Sequence, residues 1–113
     1  MNILIYAKSL EIKPDYFDAN YNLGALYFNK AVQMVNDAND MWKPRMSKEE
    51  SNKQSEMEAG GKAMFSTALP YLEKALDVDP EDRETLRSLR DIYARIGMDE
   101  KMLEVSAKLK SME

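Results

Sequence analysis

The sequence has no cysteine and no histidine among its 113 residues. Without cysteine there is no disulfide framework and no thiolate to act as nucleophile or ligand. Without histidine the commonest general base and the commonest metal ligand are gone. No run approaches the ~20 apolar residues a membrane-spanning helix needs. The apolar start, Ile3–Ala7, is too short for a signal-peptide core and has no basic residue before it. Positive charge is also short: 16 Lys and Arg face 20 Asp and Glu, for a net charge of −4. That balance argues against a nucleic-acid-binding face. Glycine and proline number four each, which fits a helical chain with few loops. The composition leaves the compartment open.

What is present is an internal echo. Lys8–Tyr27 and Lys74–Tyr93 align on their prolines at a constant offset of 66 residues. Lys8, Leu10, Pro14, Leu23 and Tyr27 match Lys74, Leu76, Pro80, Leu89 and Tyr93. Ser9/Ala75, Ile12/Val78 and Leu26/Ile92 are conservative pairs. Each copy reads as the end of one helix, a proline corner and the start of the next helix, because the residue before proline is driven out of the helical region.

Helical spacing of apolar residues then sets out five helices and no strand. Ile3, Tyr6, Ala7 and Leu10 give the first, Met1–Lys13, one apolar face. A second runs from Phe17 to about Asp40, carrying Leu23, Leu26, Tyr27, Ala31, Met34 and Ala38. After Pro44, Ser47-Lys48-Glu49-Glu50 has the form of a capping box that opens the third. Its first stretch, Lys48–Glu56, is almost wholly polar and is expected to project into water. Gly60-Gly61 and Pro70 are expected to interrupt or bend it. Asp79, Glu81 and Asp82 supply turn and helix-start chemistry around Pro80. Leu86, Leu89, Ile92 and Tyr93 stripe the fourth helix, Gly97 caps it, and the fifth runs from Asp99 to Lys110.

These residues resemble a tetratricopeptide repeat (TPR) protein. Leu23-Gly24 and Tyr27 match the first-helix signature of that family, and Ala68, Leu72, Ala75 and Pro80 match the second. Tyr6, Ser9 and Pro14 match the end of a preceding second helix. Leu89, Tyr93 and Gly97 fit a final unit. Departures are Asn20 in an aromatic slot, Arg90 where a small glycine belongs, and Met102 and Leu109 in small-residue slots. A bulky Arg90 should hold its helix pair apart or snorkel to the edge. The resemblance implies an all-α superhelix divided into residues 1–14, the second helix of an incomplete repeat; 15–80, a repeat with extended helices; and 81–113, a terminal repeat. The regular period is ~34 residues, so a 66-residue offset leaves about 32 extra between Tyr27 and Ala68. They are expected to lengthen both helices into an antiparallel hairpin that projects by about 24 Å. Having no first helix before Met1–Lys13, the chain is expected to be a piece of a longer array, and that helix is a candidate homodimer surface.

The resemblance further implies a non-catalytic interaction scaffold that holds a protein or peptide partner on the face of its first helices. Tyr21, Asn22, Ala25 and Phe28 are the candidate contact residues there. A clamp for a partner's C-terminal carboxylate is disfavoured, because Glu84 and Ser88 stand where its basic residues belong. The tip segment MWKPRM supplies a further candidate, Trp42, since Trp, Arg and Met suit interfaces. The alternative for Trp42 is packing over the end of its own hairpin. An alternative role for the whole chain is a structural C-terminal cap or self-association segment. Nothing calls for a cofactor or metal. The nine methionines, at helical spacing, read as core filler. The acidic run Asp77–Asp82 lacks the glycine and later glutamate of a calcium loop, and Gly60-Gly61 lacks the phosphate-loop pattern.

Overall fold

A computed structural model describes residues 3–113. Those residues form five helices: α1 (Ile3–Ile12), α2 (Phe17–Asp40), α3 (Lys48–Val78), α4 (Arg83–Ile96) and α5 (Asp99–Ser111). No strand occurs among them. Met1 and Asn2, placed by the sequence in the first helix, lie outside the described residues.

The proline corners act as expected, but their chemistry differs. At the first, Asn20 is buried, and its side-chain amide donates to the carbonyl oxygens of Pro14 and Tyr16, both at 3.0 Å. The departure from an aromatic there thus ties the turn to α2 through two hydrogen bonds. At the second corner, Asp82 caps α4, accepting from the Thr85 amide at 3.0 Å and the buried Thr85 hydroxyl at 2.6 Å. Gly97 closes α4 at φ 80°, a left-handed conformation that side-chain-bearing residues avoid.

Helices α2 and α3 form the antiparallel hairpin. Small residues make it tight: a Cβ on Gly24 would lie 2.6 Å from Leu72 Cγ and Cδ2, and one on Gly61 would lie 2.8 Å from Val35 Cγ2 and 3.3 Å from the Ala31 carbonyl oxygen. This corrects the expectation of an interruption at Gly60-Gly61. The helix is continuous there because the α2 contact offsets the entropic cost of glycine. Pro70 also sits inside α3, exposed, with helix on both sides. Phe28 meets Phe65 edge to face at 5.5 Å, and Tyr27 stacks on Tyr71 at 5.8 Å.

Helix α4 packs antiparallel to α3, so it runs in the direction of α2. The Tyr93 hydroxyl donates to Glu73 at 2.6 Å, and the Arg95 guanidinium lies 5.0 Å from the centre of the Phe65 ring. Helix α5 returns along α4, where Arg83 donates to the Met112 carbonyl and Lys108 pairs with Glu81. Phe65, Leu72, Leu86, Leu89, Ile92, Tyr93 and Val105 make the core between these helices. Burying each large side chain stabilises by about 1.5–3 kcal/mol.

Beyond the Arg95–Phe65 contact, Lys48–Met64 continues for about 26 Å of helix at 1.5 Å per residue. The projecting hairpin is therefore close to the expected length, within a molecule 48 Å along its longest axis. Its tip is fastened by polar groups. Both hydrogen bonds of the capping box form between Ser47 and Glu50 at 3.1 Å, and Lys43 pairs with Glu50 at 2.6 Å. Lys48–Glu56 is not wholly solvated, because Gln54 is half-buried and donates to the Ala38 carbonyl at 2.8 Å.

Helix α1 touches only α2 among the described residues. Ile3, Tyr6 and Leu10 are half-buried, whereas Ala7 is exposed. Leu4, Ile5 and Ile12 face outward, 75%, 62% and 81% exposed.

Candidate functional site

Thr85, Leu86, Leu89, Ile92 and Tyr93 bury one side of α4. The helical period therefore turns Arg87, Asp91 and Ala94 to the opposite side. They floor an open groove of about 560 Å³, walled by Phe28 from α2 and Met102 from α5, with Ser88 and Arg90 on its flanks. Phe28 is held in place by the edge-to-face contact with buried Phe65, so the aromatic wall belongs to the core as well as to the groove.

The groove is electrically uneven. Around Tyr21, burial first and then the carboxylates of Glu84 and Asp82 raise the phenol above its ordinary pKa. Arginines are spread along the whole of α4, at positions 83, 87, 90 and 95. Arg87 pairs with Glu84 at 2.7 Å, and Arg95 pairs with Asp91 at 2.8 Å. Arg90 makes no ion pair among the described residues.

Of the residues singled out from sequence, only Phe28 lines this groove. Tyr21 is half-buried and stacks on Phe17 at 5.9 Å, nearer the N-terminus of α2. Asn22 spends a donor locally on the Asp18 carbonyl at 2.7 Å. Ala25 is half-buried. Trp42 is not brought to this site: it lies two residues past the end of α2, at the far end of the hairpin. It is 66% exposed, which overturns packing over its own hairpin end as its resting place. Arg90 is exposed, so it takes the edge rather than wedging α4 from α5.

Arg87, Asp91, Ala94 and Met102 were missed as site residues. One signal was available: four of the five arginines in the chain fall between positions 83 and 95. Among the described residues, no group of three or more acidic side chains could hold a metal ion, and no helix is long and apolar enough to cross a membrane. Compared with family models, with curated proteins and with solved structures, the chain finds no match in any of the three.

Proposed function

We propose that this chain is a TPR-like segment acting as a non-catalytic protein-interaction scaffold, which seats a peptide or helix of a partner against α2 and α4. The observation that carries the reading is the groove itself. An aromatic wall and a methionine wall flank a helical floor whose other side is locked into the core. Such a surface is preformed, so little ordering cost opposes binding. The two proline corners and the close approach at Gly24 support the repeat assignment, since that family packs its helix pairs through small residues.

The test is to fill the groove without disturbing the core. Ala94 is exposed on the floor, so Ala94→Trp blocks access while leaving the packed side of α4 intact. Affinity capture with the wild type and with Ala94→Trp in parallel should lose the same partner from the variant. Equal recovery from both counts against the groove.

A second reading, a structural cap or self-association segment, is favoured by the exposed Ile5 and Ile12 on α1. Its self-association form requires a dimer in sedimentation that dissociates in Ile5→Glu/Ile12→Glu. A monomer at high concentration rejects that form.

A further inference from the structure

We propose that the occupant of the groove is an acidic peptide segment, bound through internal side-chain carboxylates set against Arg87 and Arg90 with an apolar side chain against Phe28 and Met102. This rests on the reading of the groove as a docking face and specifies its ligand.

The argument is one of charge. The chain as a whole carries −4, yet α4 holds four arginines against two acids, Glu84 and Asp91. Two of the four are engaged in holding the fold. Arg83 donates to the Met112 carbonyl at the end of α5, and Arg95 both pairs with Asp91 and lies over Phe65. The other two border the groove. Arg90 has no ion-pair partner among the described residues. The Arg87–Glu84 pair is 52% and 65% exposed, so solvent screens it and a ligand carboxylate can compete for the guanidinium. The one carboxylate on the floor, Asp91, is paired with Arg95 at 2.8 Å. What the groove offers is thus two planar donor forks beside an aromatic and a thioether, a set that suits a carboxylate next to an apolar side chain. A nucleic acid backbone is a poor fit, because two available arginines on a net-negative chain release few counterions.

The test is selection of a displayed random-peptide library on the intact chain. Synthetic versions of the enriched sequences, amidated at the C-terminus, are then titrated against the wild type, Ala94→Trp and Arg87→Glu/Arg90→Glu. Both arginines are exposed, so the charge reversal should leave the helical circular dichroism unchanged; Arg87→Gln/Arg90→Gln gives the same reading if it does not. The expected result is enrichment of Asp- or Glu-containing peptides with an apolar residue nearby. Their binding should weaken about tenfold or more on charge reversal, fall with salt, and be indifferent to amidation. Enriched peptides that are neutral or basic, blocked by Ala94→Trp but untouched by the arginine changes, overturn the acidic ligand and leave the docking face standing. Dependence on a free C-terminus overturns recognition through internal carboxylates. No enrichment, or binding indifferent to Ala94→Trp and to both arginines, overturns the ligand and the docking face together.

Discussion

Replacing Gly24 with alanine should destabilise the protein, although alanine is the better helix former. Both Gly24 and Gly60 lie inside helices, so each gains about 0.8–1 kcal/mol of helix propensity as alanine. They differ in what the new methyl meets. At Gly24 it lies 2.6 Å from both Cγ and Cδ2 of Leu72, a fully buried side chain whose backbone nitrogen is only 3.4 Å away. Carbon atoms prefer about 3.5–4 Å, so either α2 and α3 separate or Leu72 leaves its rotamer. Overpacking of that kind costs about 1–3 kcal/mol, and after the propensity gain the net loss is up to about 2 kcal/mol. At Gly60 the methyl meets the terminal carbon of Met34 at 2.5 Å, with only the sulfur, at 3.9 Å, also close. Met34 is unbranched and half-buried, so it can swing aside, and Gly60→Ala should be neutral or stabilising by up to about 1 kcal/mol. Thermal unfolding followed by helical circular dichroism should therefore rank Gly60→Ala above Gly24→Ala, at about 4–8 °C per kcal/mol. A double-mutant cycle locates the cause. Leu72→Ala alone should cost about 2–5 kcal/mol, and adding Gly24→Ala to it should cost nothing further, because the clashing atoms are gone. If Gly24→Ala melts at or above Gly60→Ala, or costs as much in the Leu72→Ala background, close helix approach is not what selects glycine at this position.

Burial, and then the hydrogen bond and charge of Glu73, hold the Tyr93 phenol well above its ordinary pKa. A proton held more tightly in the folded state supports stability fully below pH ~10 and is lost as the pH rises beyond it. Tyr93→Phe should flatten that alkaline limb and cost about 1 kcal/mol at neutral pH, whereas an unchanged limb in pH-dependent unfolding rejects the assignment. Glu50 is held down to about 2 by the Lys43 ammonium and then by the hydrogen bonds to Ser47. Its contribution is present above the usual carboxylate range and is lost as the pH falls toward 2. Carboxylate and Ser47 amide resonances should titrate there, and a midpoint near 4.5 means the capping box is open in solution. Trp42, the single tryptophan, should emit at the red wavelength of a hydrated indole and be quenched freely by iodide; protected, blue-shifted emission shows it folded onto the hairpin.

The helices were legible because their signals are local. Proline corners, the Ser47–Glu50 box, Gly97 and the stripe from Leu86 to Tyr93 act within a few residues of themselves, and each lies where the sequence predicts. The length of the hairpin was legible from the 66-residue offset, since extra residues in register leave no other place to go. What failed was whatever a second helix decides. Gly60-Gly61 reads as a weak point in isolation and becomes a contact surface once α2 lies against it. Asn20 reads as a defect in an aromatic slot until the carbonyls of Pro14 and Tyr16 come within reach of its amide. The groove was invisible for the same reason. Arg87 and Ala94 become floor residues only when Phe28 and Met102, from other helices, rise beside them. Clustering of arginine in one helix is the trace such a surface leaves in sequence, and it does not say which way the helix faces.

The distribution of burial along the hairpin bears on which of the two candidate surfaces can bind tightly. The large buried side chains Leu23, Phe65 and Leu72 all lie at or below the level where α4 ends. Beyond it, toward the tip, the buried side chain on α2 is Ala38, and the cross-helix polar tie is Gln54 to its carbonyl. Small buried side chains with a single cross-helix side-chain hydrogen bond mark a segment that opens at lower cost than the base. The tip therefore carries Trp42 on the less heavily packed end of the hairpin, and a partner grasping it bears the cost of ordering that end. The groove sits at the opposite extreme. Its floor is the outer side of a helix whose inner side supplies Leu86, Leu89, Ile92 and Tyr93 to the core, and its aromatic wall rests on Phe65. Binding there needs no rearrangement of the backbone, so the ordering cost is confined to exposed side chains such as Arg87 and Arg90. On this physical ground α4 and Phe28, rather than the more conspicuous tryptophan, are the place to expect a specific partner.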